Sequence, residues 1–254
     1  MPLFDLTGKK AFITGASRGI GQTVAVALAG AGADVALVAR SEDGLSETAV
    51  QVASLGRKAF VIPADVTDQE SVAAAVAGAI DQLGYVDIVV NNAGGSSFMV
   101  PFLDLRLTGW DKLIRLNLDS AMYVCHAVGP HLVERGSGSV INVASVAGVS
   151  AAPFLSPYGA AKAALISLTK SLAVEWAANG IRVNALCPGW TATDLNRNLW
   201  EDETAGPATV ATVPMRRWAR PEEMSGPAVF LASEASSYMT GQVLLIDGGQ
   251  TAMS

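Results

Sequence analysis

Short apolar runs alternate with longer helical stretches along the whole chain, and this alternation limits the possible folds more than any other feature. The runs are apolar on both faces, as Asp34–Ala39 (Asp-Val-Ala-Leu-Val-Ala) illustrates. Strands of this kind occur in parallel sheets that helices cover on both sides. The predicted strands are Lys10–Thr14, Asp34–Ala39, Lys58–Pro63, Val86–Asn91, Ser139–Val143, Ile181–Leu186 and Val243–Ile246. The sequence therefore predicts an α/β fold with a doubly wound, mostly parallel seven-stranded sheet.

Helices are predicted between these strands, at Thr23–Ala31, Glu42–Leu55, Gln69–Leu83, Gly109–Glu134, Tyr158–Ala178 and Pro221–Ser233. Thr67 and Asp68 are expected to cap the third helix, because their short polar side chains can accept hydrogen bonds from its free N–H groups. No linker rich in Pro, Gly or Ser and no run of like charges divides the chain. We therefore expect residues 1–254 to form a single domain, with a less regular insert at about 190–220.

The first predicted strand runs directly into a glycine-rich segment, Thr-Gly-Ala-Ser-Arg-Gly-Ile-Gly, at residues 14–21. Gly15, Gly19 and Gly21 fall where the strand would turn into the first helix. Glycine allows a tight turn and a close approach of backbone N–H groups to a phosphate, whose charge the helix N-terminus favours. A glycine-rich turn alone is weak evidence, but its place after the first strand of an alternating pattern predicts a nucleotide site.

The end of the second strand bears on which nucleotide is bound. A site for NAD usually has Asp or Glu there, to accept hydrogen bonds from the ribose 2′-hydroxyl. Here the strand ends in Val-Ala-Arg-Ser. Arg40 could pair with a 2′-phosphate, and Arg18 of the glycine-rich segment could reach the same group. The alternative is that both arginines are solvated loop charges. We expect NADP(H) as the preferred cofactor, with NAD(H) as the second candidate.

Tyr158 and Lys162 lie four residues apart on a predicted helix, so they share one face of it. A phenol titrates at about 10 in water, and a nearby ammonium would lower that pKa. Ser145 could bring a hydroxyl to the same point and hold a substrate oxygen. For an isolated pair at this spacing, the alternative is that Tyr158 packs in the core and Lys162 is a surface charge.

Composition disfavours several classes of protein. The net charge of −6 argues against a partner with a polyanionic backbone or an anionic membrane surface, so neither a nucleic acid nor a membrane is expected. Cys125 and Cys187 lack metal-ligand spacing, and His126 and His131 have no carboxylate cluster near them, so no metal is expected. The start of the chain lacks the features of a signal peptide. We expect a cytoplasmic protein with two reduced, packed thiols.

Several motifs follow the order that is typical of the short-chain dehydrogenase/reductase family. The chain resembles the branch of this family whose members have a similar length, and the resemblance covers essentially the whole chain. The glycine-rich segment resembles the family's cofactor loop, and Asn91-Asn92-Ala93-Gly94 resembles the segment that closes the fourth strand. Asp65-Val66 resembles the pair that contacts the adenine, and Asn117 matches the asparagine of the family's proton relay. Pro188-Gly189 with Thr193 resembles the segment that contacts the nicotinamide carboxamide, and Thr240–Gly249 resembles the family's last strand. Ser145, Tyr158 and Lys162 match the family's catalytic spacing, so the surface-charge alternative for Lys162 is rejected.

The resemblance implies a Rossmann domain that transfers a hydride reversibly between a nicotinamide and a carbonyl or alcohol carbon. Tyr158 would donate a proton to the developing alkoxide, and Ser145 would hold the substrate oxygen. Lys162 would lower the pKa of Tyr158, and Asn117 would link Lys162 to solvent through a kinked backbone and a water. The residues expected to contact the cofactor are Gly15, Ser17, Arg18, Gly19, Ile20, Gly21, Arg40, Asp65, Val66, Asn92, Ala93, Gly94, Tyr158, Lys162, Pro188, Gly189, Thr191 and Thr193.

Three functions follow as candidates, all with a small-molecule partner. The first is an NADPH-dependent reductase of the ketone or 3-oxoacyl type. The second is an alcohol or sugar dehydrogenase that uses NAD. The third is a non-catalytic NADP(H)-binding sensor, which the presence of both Tyr158 and Lys162 disfavours.

Substrate specificity is expected to reside in Trp190–Arg217, whose composition suits a mobile lid. Its apolar candidates for substrate contact are Leu195, Leu199 and Trp200. Its acidic run 201–203 disfavours a highly anionic substrate, unless those carboxylates face solvent. Phe98, Met99 and Phe102 are either pocket or packing residues. Charged residues make up only 16% of the chain, below the roughly 25% of typical domains. Either the interior is large or subunits cover part of the surface, and we expect a homotetramer packed through the helices of 109–134 and 158–178.

Overall fold

Seven strands form one sheet in the computed structural model, which describes residues 3–253. They are β1 (Lys10–Thr14), β2 (Asp34–Ala39), β3 (Ala59–Pro63), β4 (Ile88–Asn91), β5 (Gly138–Val143), β6 (Ile181–Pro188) and β7 (Val243–Ile246). Every neighbouring pair is parallel, in the order β3-β2-β1-β4-β5-β6-β7. The predicted doubly wound parallel sheet is confirmed, and the direction in which successive strands are added reverses between β1 and β4.

Helices cover both faces of the sheet. They are α1 (Gly19–Gly30), α2 (Glu42–Ser54), α3 (Gln69–Leu83), α4 (Leu107–Ile114), α5 (Ser120–Arg135), α6 (Ser156–Trp176), α7 (Arg197–Trp200), α8 (Ala205–Thr209) and α9 (Ser225–Ala232). One core contains Leu28, Leu37 and Leu231, under α1 and α9. A second core, on the other face, contains Val76 and Leu132, under α3 and α5. Burial of apolar side chains on both faces is what makes the strands apolar throughout.

Two helix predictions are wrong at places that matter for function. α1 begins at Gly19 rather than at Thr23, because Gly19 and Gly21 form part of the first turn instead of a loop before it. The helix predicted over Gly109–Glu134 is interrupted by a π-helical turn at Arg115–Asp119. Such wide turns are frequently found at functional sites. The predicted cap is half right, since Asp68 accepts a 2.7 Å hydrogen bond from Ser71 N, whereas Thr67 bonds Asp65.

The segment between β6 and α9, called the insert below (residues 190–220), leaves and rejoins the fold at one point. Ala219 N donates to Trp190 O at 2.8 Å, and Ala192 N donates to Ala219 O at 2.9 Å. The Trp190 and Trp218 rings meet edge to face with centroids 5.3 Å apart. These contacts tie both ends of the insert together beside the end of β6.

The described residues were also searched for membrane spans and metal sites. Among residues 3–253, no helix has the length and the apolar character that crossing a membrane would need. Within the same residues, no group of His, Cys, Asp and Glu side chains could hold a metal ion.

Candidate active site

The residues predicted to carry function lie along the carboxyl-terminal edge of the sheet. Gly15 follows β1, Asn92 follows β4, Ser145 lies two residues after β5, and Pro188 ends β6. In a parallel sheet these ends face the same side, and a crevice opens where the strand order reverses. In this protein the reversal lies between β1 and β4. The topology therefore brings the glycine-rich segment and the Ser-Tyr-Lys residues to one edge.

The glycine-rich segment forms a turn that only glycine can make. Gly15 and Gly19 have φ angles of +65° and +58°. A Cβ on Gly15 would lie 2.7 Å from Asn92 Nδ2, and one on Gly21 would lie 2.2 Å from the Gly15 carbonyl oxygen. Arg18, the N-cap of α1, makes no side-chain cap hydrogen bond. The N-terminus of α1 is thus available to an anionic group, and the turn fits a bound pyrophosphate.

Thr14 locks this turn to the loop after β4. Its hydroxyl accepts hydrogen bonds from the N–H groups of Asn92 and Ala93, both at 3.0 Å. In return, Asn92 Nδ2 donates to the carbonyls of Thr14 and Gly15 at 3.0 and 3.2 Å. Thr14 was not predicted as a site residue. Its position at the end of an apolar strand could have indicated this role, because a polar side chain buried there needs a hydrogen-bond partner.

Arg18 and Arg40 lie on two segments that contact each other. Gly44 in the first turn of α2 packs against Ser17, since a Cβ on Gly44 would lie 2.9 Å from Ser17 O. Both arginines are exposed, and within residues 3–253 neither side chain forms a hydrogen bond or salt bridge. Hydrogen bonds from Thr67 lower the pKa of Asp65, and the charge of Arg40 lowers it further. Val66 beside it is buried. Both cationic side chains are therefore available to a phosphate.

Ser145, Tyr158 and Lys162 come together at the end of β5. Lys162 is only 3% exposed, and its Nζ donates to Val143 O at 2.8 Å. The same Nζ lies 5.7 Å from the centroid of the Tyr158 ring. The Ser145 hydroxyl accepts from Ala147 N at 3.1 Å and hydrogen-bonds the Tyr158 phenol. A hydroxyl, a phenol and an ammonium therefore share one small volume.

Burial is the main cause of the pKa shifts of Tyr158 and Lys162. It raises the pKa of Tyr158 above its ordinary value, and the hydrogen bond with Ser145 opposes only part of that effect. It also lowers the pKa of Lys162 to about 8. The expected lowering of the Tyr158 pKa by Lys162 is not found. Removing both groups from water penalises the charged form of each, and this desolvation is the largest cause of both pKa shifts.

The π-helical turn places Asn117 against the loop after β4. Asn117 Nδ2 donates to Gly95 O and Leu113 O, both at 3.0 Å, and Asn117 Oδ1 accepts from Gly95 N at 2.7 Å. A Cβ on Gly94 would lie 2.7 Å from Asn117 Oδ1 and 3.0 Å from Lys162 Nζ. Gly94 therefore lies between Asn117 and Lys162. The Asn117 side chain holds the Gly95 backbone, and the water relay stays a prediction.

The segment after β6 has two threonines in different situations. Gly189 N donates to Ile246 O at 2.9 Å, which fixes the turn that follows Pro188. The Thr191 hydroxyl donates to Gly189 O at 3.1 Å and is buried within its own turn. Thr193 lies nearer the glycine-rich segment, since its Cγ2 would be 3.5 Å from a Cβ on Gly19. Of the two, Thr193 is the one that the fold brings to the glycine-rich segment.

Cys187 has a closer relation to the site than its sequence context indicated. It is fully buried, as predicted. Its thiol also accepts a hydrogen bond from the Ser145 backbone and feels the charge of Lys162, although burial raises its pKa to about 11. The sequence could have indicated this proximity, because Cys187 directly precedes Pro188 at the end of a predicted strand that leads to the site. Cys125 is a packed thiol that accepts from Asn91 Nδ2 at 3.3 Å.

Known proteins resemble this chain over nearly all of its length. A family model described as enoyl-(acyl carrier protein) reductase matches residues 15–251. The gluconate 5-dehydrogenase of Gluconobacter oxydans is 40% identical over 249 residues, which cover 98% of this chain and 97% of the relative. A solved gluconate 5-dehydrogenase from Burkholderia cenocepacia, in complex with NADP and tartrate, is 39% identical, with a TM-score of 0.93 over 98% of each chain. A short-chain type dehydrogenase/reductase from Mycobacterium marinum is 41% identical, with the same TM-score and coverage.

Proposed function

Because this chain belongs to the short-chain dehydrogenase/reductase family, we propose that it transfers a hydride between NADP(H) and the carbon of a ketone or secondary alcohol. The observation that carries the proposal is the meeting of two sites at one edge of the sheet. Gly94 touches both Asn117 and Lys162, and the neighbouring Asn92 is bonded to Gly15 of the glycine-rich turn. A nucleotide held by that turn would therefore extend toward Tyr158.

Several features support NADP(H) over NAD(H) as the cofactor. The solved relative from Burkholderia cenocepacia contains NADP, as does a solved gluconate 5-dehydrogenase from Beutenbergia cavernae. In this chain Arg18 and Arg40 supply two exposed cations, and no carboxylate stands at the end of β2. When bound, the cofactor would supply or accept the hydride. The eighteen cofactor-contacting residues named above remain part of the proposal, although the Thr191 hydroxyl is already bonded to Gly189 O.

The chain's own residues hold the substrate and move the proton. The Ser145 hydroxyl orients the substrate oxygen and donates to the charge that develops on it. In the reductive direction the Tyr158 phenol gives its proton to that oxygen, and its raised pKa keeps the proton on the phenol until then. Lys162 would hold the nicotinamide ribose of a bound cofactor by a hydrogen bond from its ammonium. Asn117 positions the Gly94–Gly95 backbone beside that cation.

A hydride-transfer assay tests this function. The purified protein is incubated with NADPH and a set of ketoesters, diketones, keto-sugars and ketosteroids, and the loss of NADPH absorbance is followed. We expect oxidation of NADPH that depends on one class of substrate. Tyr158→Phe should abolish turnover while NADPH still quenches tryptophan fluorescence at the same concentration. Substantial turnover by the Phe variant would refute the role of Tyr158.

The names of the relatives support a second candidate, the oxidation of a polyol. Besides gluconate 5-dehydrogenase, the D-threitol dehydrogenase of Mycolicibacterium smegmatis is 37% identical over 248 residues. Such an enzyme would run the same chemistry toward the ketone, with NADP⁺ or NAD⁺ as acceptor. The sensor hypothesis gains no support, since Tyr158 and Lys162 are both present and lie together.

We also propose that residues 1–254 act as one domain whose insert closes over the site as a lid, and that the protein is a cytoplasmic homotetramer. Support for the lid comes from Leu195, whose Cδ2 would be 2.4 Å from a Cβ on Gly95. Exposed apolar side chains on α4 and α6 support subunit contacts there, among them Leu107 and Val174 at 78% and 81% exposure.

A further inference from the structure

The first loop of the insert contains a threonine hydroxyl whose proton is already used, and we propose that Asn196 is a positioning residue for cofactor binding. In this proposal Asn196 holds the proton of the Thr193 hydroxyl, so Thr193 offers the cofactor only a hydrogen-bond acceptor. The group that donates to it is the carboxamide N–H of the nicotinamide. The inference rests on the proposed function, in which Thr193 is one of the cofactor contacts.

Residues 193–195 lie across the crevice between the ends of β1 and β4. On one side Thr193 is next to Gly19, since its Cγ2 would be 3.5 Å from a Cβ on that glycine. On the other side Leu195 packs against Gly95. Gly19 begins α1 directly after the glycine-rich turn, and Gly95 belongs to the loop after β4. A nucleotide held by the turn would therefore lie close to Thr193.

Two backbone groups fix the orientation of the Asn196 amide. Asn196 Nδ2 donates to Thr191 O at 3.0 Å, and Asn196 Oδ1 accepts from Thr193 N at 2.9 Å. The reverse orientation would bring two donors together at Thr193 N and two acceptors together at Thr191 O. Asn196 Oδ1 therefore faces Thr193, and the Thr193 hydroxyl lies 3.1 Å from this same oxygen.

The contact with Asn196 determines what the Thr193 hydroxyl can offer to a ligand. A hydroxyl has one proton and two lone pairs, whereas an amide oxygen has no proton to give. The Thr193 hydroxyl must therefore donate to Asn196 Oδ1, and toward a ligand it can only accept. The backbone of Thr193 is held as well, since Trp200 Nε1 donates to Thr193 O at 2.9 Å.

The order of the strands indicates which group of the cofactor can donate to Thr193. Arg40 follows β2 and Asp65 follows β3, whereas Thr193 follows β6 on the other side of the crevice. The adenine end of the cofactor is proposed to lie at Arg40 and Asp65, and the nicotinamide ribose at Lys162. Phosphate oxygens are acceptors, so a hydroxyl without a free proton gives them nothing. The donor that remains on the β6 side is the carboxamide N–H.

The test compares the affinities of two nucleotides that differ only at this group. Isothermal titration calorimetry measures the Kd of NADP⁺ and that of its 3-acetylpyridine analogue, in which a methyl group replaces the amide –NH₂. We expect the wild-type protein to bind the analogue about fivefold more weakly, the scale of one neutral hydrogen bond. Equal affinities would overturn this inference and leave hydride transfer standing. If neither nucleotide bound, the proposed cofactor would be refuted as well.

Asn196→Ala tests the role of Asn196 through the ratio of the two Kd values. Without Asn196 the Thr193 hydroxyl can turn its proton toward the acetyl oxygen of the analogue, so the ratio should fall from about five to about one. Asn196→Asp keeps the acceptor and should keep the ratio, although its added charge weakens the binding of both nucleotides. An unchanged ratio in Asn196→Ala would mean that Asn196 only stabilises the loop, and the inference would be wrong.

Two further variants separate this effect from the stability of the insert. Thr193→Val removes the hydroxyl but keeps the shape of the side chain, so it should also bring the ratio to about one. A wild-type ratio in this variant would show that Thr193 is not the acceptor. Asn198→Ala is the matched control, because Asn198 is exposed in α7 and within residues 3–253 its side chain makes no hydrogen bond. A changed ratio in this control would show that any disturbance of the insert alters the ratio, which would overturn the inference.

Discussion

At the scale of single residues, Lys162 shows how burial and charge oppose each other in this protein. Its side chain is almost fully buried and keeps one hydrogen bond, to Val143 O. Its pKa falls to about 8, while the pKa of the neighbouring phenol rises. The raised pKa of Tyr158 therefore keeps a proton on the phenol, where a substrate oxygen can take it. Burial of an ionisable group at this cost is typical of functional sites.

Arg40 gives the residue-scale test of cofactor preference. We expect Arg40→Ala to raise the Kd for NADPH about tenfold or more, because a hydrogen-bonded charge contributes about 1.5–3 kcal/mol. The Kd for NADH should change little, since NADH lacks the 2′-phosphate. Titration of tryptophan fluorescence with each nucleotide measures both constants. Lys112→Ala on α4 is the control for loss of a surface charge, and an equal loss of affinity for the two nucleotides in Arg40→Ala would contradict the assignment.

At the scale of elements, the glycine-rich turn is held in place by its neighbours rather than by its own residues. The Thr48 hydroxyl of α2 donates to Ala16 O at 2.8 Å, and Gln22 of α1 donates to Thr48 at 3.0 Å. The start of α2 contacts Ser17 at Gly44. The segments proposed to hold the 2′-phosphate and the pyrophosphate are therefore joined by direct contacts, so we expect a change in α2 to alter the turn.

Replacing Gly44 tests this coupling between α2 and the turn. A Cβ there would lie 2.9 Å from both Cβ and O of Ser17, so Gly44→Ala must displace the glycine-rich segment. We expect a several-fold higher Kd for NADPH. The matched control is Gly78→Ala in α3, where a Cβ would meet nothing within 4 Å. That variant should bind NADPH normally and gain about 0.5–1 kcal/mol in free energy of unfolding, measured by urea titration. Unchanged binding in Gly44→Ala would show that the segments are independent.

At the scale of the whole molecule, the two edges of the sheet have different tasks. The amino-terminal edge carries ion pairs that hold the fold, such as Arg57–Asp34 at 2.7 Å and Arg135–Asp87 at 3.0 Å. The carboxyl-terminal edge carries the glycine-rich turn, the Ser-Tyr-Lys group and the insert. Chemistry and structural support are thus separated by the length of the strands, so substrate loops can vary without loosening the core.

The proposed tetramer is a prediction at this scale. A chain of 26.1 kDa should elute with a light-scattering mass of four copies. α4 and α6 contact each other, and Leu107→Asp together with Val174→Asp should reduce that mass, because a carboxylate would be desolvated in an apolar interface. Val50→Asp on α2 is the control, since Val50 is 70% exposed on another helix. If the wild-type protein has the mass of a monomer, the proposed tetramer is refuted. If Val50→Asp also reduces the mass, the subunit contacts are not confined to α4 and α6.

The strand bounds and the Ser-Tyr-Lys spacing were predictable because they depend on neighbours along the chain. A strand that is buried on both faces requires a continuous apolar run. The bounds predicted from such runs agree to the residue with those of β1, β2 and β7. Helical periodicity alone places Tyr158 and Lys162 on one face. The glycine-rich segment was recognisable for the same local reason, since positive φ angles select glycine.

Other features depend on residues that are remote in sequence, and the tertiary structure alone reveals them. The π-helical turn lies where Asn117 bonds Gly95, and Leu195 of the insert packs against that same glycine. The proximity of Cys187 to Ser145 and Lys162, and the direction of the Tyr158 pKa, likewise follow from packing. Local patterns select helices, strands and turns through backbone geometry, whereas desolvation and contact between distant loops are properties of the assembled fold. For this reason the type of chemistry was predictable from the chain, but the pKa shifts that burial causes at its site were not.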